Sequence, residues 1–185
     1  MPRAQVVRRK RIFVGCEGDG ERSYITLVQR IVEGIHHKVY LDPHLLQPGG
    51  GDPLDLCRRA EEVLTRLKRT RDPYKARYLL IDRDKLGVSP QRDAQMSAIL
   101  NRIGTQIIYQ EPAREALILR HLQSCANRRP GSTELAMQQL LQEWPEYRKN
   151  MSAIELARKL DLASLRQAAS VENELRAFFQ MIELL

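Results

Sequence analysis

Two short apolar runs that stop on acidic residues constrain this chain more than any other feature. Ile12-Phe13-Val14-Gly15-Cys16 ends at Glu17, and Tyr78-Leu79-Leu80-Ile81 ends at Asp82-Arg83-Asp84. Each is too short for a helix and apolar throughout, the pattern of a strand buried on both faces. From Arg22, the apolar positions Tyr24, Leu27, Val28, Ile31 and Val32 recur every three or four residues and predict a helix that Gly34 closes. Residues 38–41 read as a further strand, followed by the loop Pro48-Gly49-Gly50-Gly51-Asp52-Pro53. The next helix, 54–69, carries Leu54, Cys57, Ala60, Val63, Leu64 and Leu67 on one face, and Arg58, Arg59, Arg66, Lys68 and Arg69 on the other. Ser89-Pro90 opens a helix to about residue 103, Gln106-Ile107-Ile108-Tyr109-Gln110 is a fourth strand, and Glu111-Pro112 leads into another helix. Strands alternating with amphipathic helices predict an α/β fold, a parallel sheet of about four strands flanked by helices.

The pattern changes after residue 123. Residues 1–10 read as a basic arm, 11–123 as the α/β domain, 124–132 as a linker and 133–185 as a helical C-terminal extension. Helices are expected there at about 133–143, 152–159 and 161–184. The last carries a wide stripe of Leu162, Leu165, Val171, Leu175, Phe178, Phe179 and Ile182. It either packs on the sheet or, if wider than the core can cover, forms a homodimer contact.

Composition excludes several classes. No apolar run approaches the ~20 residues that cross a bilayer, so no membrane partner is expected. The stretch after the basic N-terminus is shorter than the ~7–15 apolar residues of a signal peptide, and the expected location is cytoplasmic. Cys16, Cys57 and Cys125 are odd in number and widely spaced, which supports neither a disulfide framework nor a zinc knuckle. Thirty Lys and Arg against 23 Asp and Glu give a net charge of +7. Five of those cations, Arg3, Arg8, Arg9, Lys10 and Arg11, precede Glu17, the first acidic residue. Such an arm is either a solvated end or a phosphate-contacting one.

In an open parallel sheet, ligands bind beyond the carboxyl ends of the strands, where loops converge and helix N-termini point. Glu17, Asp82 and Asp84 fall there, as do Glu111 and Glu115 after the fourth strand. Neighbouring strands are ~4.8 Å apart, so acids ending adjacent strands can meet around one cation. Oxygen donors without thiolate or imidazole suit Mg²⁺ or Mn²⁺, which implies phosphoryl or phosphodiester transfer, with Glu17 as general acid or base. The competing pattern on the same loop is Gly18-Asp19-Gly20-Glu21-Arg22-Ser23, an approximate dinucleotide fingerprint with Asp42 at the distance of a ribose-binding acid. Glu17, Asp19 and Glu21 would crowd a pyrophosphate, so electrostatics favours the metal.

Phe13-Val14-Gly15-Cys16-Glu17-Gly18 followed by Ser23-Tyr24, Leu80-Ile81-Asp82-Arg83-Asp84-Lys85, the segment Glu111 to His121, and Trp144-Pro145-Glu146-Tyr147-Arg148-Lys149 occur in this order. Together they resemble the motifs of the RloB-like proteins, a bacterial group in the Toprim superfamily. The resemblance implies a Toprim-type fold in which Glu17 is the catalytic acid or base and Asp82 and Asp84 bind Mg²⁺. It implies auxiliary roles for Glu115, His121, Tyr147 and Lys149. It also implies phosphotransfer or cleavage on nucleic acid or a nucleotide, with restriction or anti-phage defence partners. The third motif departs from the family pattern at Arg114 and Leu117, where aromatic residues are usual, and at Arg120 within the aliphatic run. A second function class, a non-catalytic module binding nucleic acid or protein through the basic arm and the Arg/Lys face of helix 54–69, is compatible with the same residues. His121, on an apolar helix, also reads as a packed histidine with one ring nitrogen bonded. Lys85 reads equally as a phosphate contact or as a neighbour of Asp84.

Overall fold

A computed structural model describes residues 9–36, 38–46, 52–69, 72–83 and 86–185. Arg3 and Arg8 of the basic arm, the loop 47–51, Asp84 and Lys85 lie outside the described residues. The chain runs β1 (Lys10–Cys16), α1 (Asp19–Ile35), β2 (Val39–Leu45), α2 (Pro53–Lys68), β3 (Ala76–Asp82), α3 (Pro90–Ile103), β4 (Gln106–Gln110) and α4 (Arg114–His121). It ends with α5 (Thr133–Glu143), α6 (Ala153–Leu156), α7 (Leu162–Val171) and α8 (Asn173–Met181). The four strands form one parallel sheet in the order β2-β1-β3-β4, the α/β arrangement expected.

Alternation along the strands divides the core in two. Ile12, Val14 and Cys16 of β1 and Tyr78 and Leu80 of β3 face α1, α4 and the C-terminal helices. Phe13 of β1 and Leu79 and Ile81 of β3 face α2 and α3. The C-terminal helices therefore share the sheet's core. Leu165, Leu175, Phe178, Phe179 and Ile182 are fully or almost fully buried, and Phe178 meets Tyr78 edge-on at 4.9 Å. Each side chain so buried contributes about 1.5–3 kcal/mol. The wide stripe whose excess would form a homodimer contact is thus largely covered by this chain's own core.

The expected helix 152–159 is confined to Ala153–Leu156, and three other boundaries differ from the periodicity for reasons that the contacts show. The first helix begins at Asp19, inside the glycine-rich loop, because Glu21 reaches back to accept the Gly18 N–H at 3.0 Å and satisfies an otherwise orphaned donor. The expected strand 38–41 continues to Leu45 through Pro43. β2 is an edge strand, so a residue with no N–H is tolerated there. Leu41, two residues before, gives its N–H to the buried Gln29 of α1 at 2.6 Å. The expected helix 161–184 breaks at Glu172, whose backbone is extended. Its carboxylate turns inward to the fully buried Arg120, with Oε1 at 2.6 Å from Nε, and also meets Arg129 at 3.4 Å.

Asp42 lies within β2 and is not available as a ribose-binding acid. Its carboxylate accepts from Arg11 at 2.5 Å and Tyr74 at 2.7 Å, with His44 at 3.3 Å. Burial opposes ionisation, but hydrogen bonds from His44, Tyr74 and Arg11 outweigh it and hold the carboxyl well below its usual range. A carboxyl depressed on folding stabilises above its unfolded pKa, near 4, and that contribution is lost as pH falls below it. Asp42→Asn should cost about 1.5–3 kcal/mol at neutral pH, the range for hydrogen bonds to a charged group. The gap to the wild type should narrow below about pH 4 when urea midpoints are compared across pH. An unchanging gap would show that the carboxylate's charge contributes nothing.

Candidate functional site

The chain leaves β1 toward β2 on one side and reaches β4 from β3 on the other, so the order reverses between β1 and β3. Crevices for ligands open at such a reversal, outside the carboxyl ends of the strands. Glu17 directly follows β1, and Asp82 is the last residue of β3. β1 and β3 pair directly, from Ile12 with Ala76 to Gly15 with Leu79. Both acids are half-buried. Asp82 shares the parity of Tyr78 and Leu80, which places it on the face covered by α1 and α4. Asp84, the third expected acid, lies outside the described residues. Among the described residues, no three of His, Cys, Asp and Glu are placed to hold one metal ion.

Arg114, the first residue of α4, organises the surroundings. Its guanidinium donates to the Lys149 carbonyl at 2.6 Å and to Glu115 and the Tyr147 hydroxyl, each at 3.4 Å. It also lies 3.6 Å from Glu21 of α1. Arg114, Glu115, Glu21 and Tyr147 are all buried. The guanidinium presses so close to the backbone of Gly20 that a Cβ there would sit 1.1 Å from Nη1, so only glycine admits it. Glu21 lies on the helix that follows β1 and Arg114 on the helix that follows β4, so the contact ties together the helices that follow the strands on either side of β3.

Burial raises the pKa of Glu21, with the neighbouring Glu17 adding to the rise, against the opposing effect of Arg114 and hydrogen bonds from the Glu21 and Gly18 backbone. Burial pushes the Tyr147 hydroxyl up to about 12, partly offset by Arg114. The first, third and fourth motif segments therefore meet at one cation. A second contact joins the first and third deeper down. His121, at the end of α4, donates from Nδ1 to the Leu117 carbonyl at 2.7 Å and accepts at Nε2 from the Tyr24 hydroxyl at 3.0 Å. Burial lowers its pKa to about 4, so the ring is neutral. With 1% of its surface exposed and both nitrogens bonded, His121 is placed to join α4 to α1. Lys149 contributes its backbone carbonyl, and its side chain is exposed. Outside the edge, Arg83 pairs with Glu111 at 3.0 Å and lies over the Tyr109 ring.

The donor chemistry at the reversal is carboxylate oxygen. Cys16 is fully buried and its thiol is pushed well up, first by burial and then by Glu21, so it offers no thiolate. Hard oxygen donors without competing sulfur or imidazole fit Mg²⁺ or Mn²⁺. The residue missed by sequence reasoning is Arg114. Its signal was the Arg-Glu pair opening an otherwise aliphatic helix, read there only as a departure from the motif.

No helix among the described residues is long and apolar enough to cross a membrane. No curated protein and no solved structure matches the chain. The family model described as RloB-like protein matches residues 12–183. With nearly the whole length matched, and its motif segments gathered around one sheet edge, the chain belongs to the RloB-like protein family.

Proposed function

We propose that the carboxyl edge between β1 and β3 is the active site of a Toprim-type enzyme that transfers or cleaves a phosphodiester in nucleic acid or a nucleotide. The observation that carries the reading is the placement of Glu17 and Asp82 at the ends of neighbouring strands where the strand order reverses. Asp82 would hold Mg²⁺ or Mn²⁺, with Asp84 as the further ligand that the motif implies. A bound divalent ion supplies charge stabilisation at a phosphoryl oxygen. Glu17 moves the proton of the attacking or leaving oxygen as general base or acid. Arg114, tied to Glu21, Glu115, Tyr147 and the Lys149 carbonyl, fixes the loop that carries Glu17 against α4. A cytoplasmic role in defence against phage, with restriction partners, accords with the family resemblance.

The test is metal-dependent cleavage or transfer by Glu17→Gln and Asp82→Asn. Each should lower the rate by about 10²–10⁴-fold, the scale of a lost acid-base group, with melting temperatures near that of the wild type. Full activity in both would overturn the assignment. Mn²⁺ at 100 times its dissociation constant should stabilise the wild type by about 2.7 kcal/mol and leave Asp82→Asn unmoved. No metal effect, together with steeply salt-dependent nucleic-acid binding, would identify a non-catalytic binding module instead.

A further inference from the structure

A groove of about 330 Å³ runs between the edge strand β2 and helix α2, lined by Leu45, Leu46, Arg59, Glu62, Val63 and Arg66. Its upper end adjoins the candidate site, because the Leu46 N–H bonds to the carbonyl of Cys16, the residue before Glu17. Arg59, Glu62, Val63 and Arg66 recur at three- and four-residue spacing and form one side of α2. Nε of Arg59 is buried with no acceptor within hydrogen-bonding distance among the described residues. A buried donor left without a partner costs about 1–3 kcal/mol, more when it carries charge. Among the described residues, neither Arg59 nor Arg66 forms an ion pair, although Glu62 lies three residues from one and four from the other. Arg58, by contrast, is held by Asp55 at 3.2 Å.

We propose that this groove binds the phosphodiester backbone of a nucleic-acid strand whose next segment reaches the acids at the carboxyl edge. The inference rests on the reading of that edge as a phosphodiester site and names the form of its substrate. Arg59 and Arg66 are seven residues apart, ~10 Å along the helix axis. Two guanidinia at that separation, with the acids of the carboxyl edge beyond them, span more than a mononucleotide and fit phosphates spaced along a strand. Guanidinium is the group that meets phosphate oxygens with two parallel donors. Glu62 lines the same groove and opposes the strand's charge, which Arg59 and Arg66 together outweigh, while Leu45, Leu46 and Val63 provide apolar walls for sugar or base.

The measurement is fluorescence anisotropy of a labelled single strand of about 20 nucleotides, as DNA in one arm and RNA in the other, with EDTA present. Arg59→Met and Arg66→Met should each weaken binding about 5–10-fold and flatten the slope of log affinity against log salt by about 0.7, the value for one phosphate contact on a single strand. Arg59→Lys should restore part of the loss. Lys159→Met, which removes an exposed cation elsewhere, should leave both quantities unchanged. Melting curves establish that each variant is folded. The arm with tighter binding identifies the natural strand. Equal affinity and equal salt slope for wild type, Arg59→Met and Arg66→Met, or no binding of either strand by the wild type, would overturn the proposal. Glu17→Gln separates the two readings. It should bind as the wild type does yet lose turnover, and retained turnover with groove-dependent binding would sink the assignment of the acids alone.

Discussion

Arg114→Met is expected to destabilise the protein by about 3–5 kcal/mol, the usual cost of removing one partner from a buried ion pair. The substitution retains most of the side chain's volume, so the effect is electrostatic. Glu21 and Glu115 lose their shared cation while staying buried, and the Lys149 carbonyl loses a 2.6 Å donor. Urea unfolding at neutral pH measures the loss. Its pH dependence identifies the cause. Burial already raises the pKa of Glu21, and Arg114 opposes that rise. A carboxyl with a raised folded pKa loses stability as pH rises from its unfolded value through its folded one. Without Arg114 the rise is larger, so the deficit should shrink on mild acidification toward the usual carboxyl pKa near 4.3. A deficit that stays constant with pH would assign the loss to packing. Gly20→Ala should act through the same group, because its Cβ requires the guanidinium to leave its seat.

Glu172→Ala is expected to cost a similar amount, about 3–5 kcal/mol, by leaving the fully buried Arg120 without its carboxylate. Arg120 would keep its donation to the Glu111 carbonyl at 3.0 Å, which satisfies a hydrogen bond but not a charge. The double variant Arg120→Met with Glu172→Leu should recover most of the loss, since apolar replacement of a buried pair is often neutral or better. A double-mutant cycle by thermal or urea unfolding checks both. Additive losses would show that the pair does not act as a unit.

These two arginines also mark the limit of what the chain's pattern reveals. β1, β3 and β4 were legible as apolar runs, and α2 and α3 as stripes with proline at the first turn, because local periodicity and capping determine them. The placement of Glu17 and Asp82 at one sheet edge followed from the same reasoning, since parallel strands bring their carboxyl ends together. The extent of β2 was not legible, because Pro43 reads as a breaker until the strand is known to lie at an edge. The helix break at Glu172 answers Arg120, which lies 52 residues earlier, and no local signal announces it. Arg114 reads only as a departure from the third motif. Its partners, Glu21 and Tyr147, lie 93 residues before and 33 after, and a window along the chain holds neither. Burial of a charge depends on distant partners, whereas burial of a leucine follows from the stripe it belongs to.

The handling of β2 limits how another strand could dock at this edge of the sheet. With the Leu41 amide committed to Gln29, and no amide hydrogen at Pro43, two main-chain donors on that border are closed to a visiting strand. A neighbour docking at this flank must therefore be recognised by side chains and not through a continuous backbone ladder. Recognition of that kind discriminates among partners, and single substitutions can retune it without rebuilding the sheet.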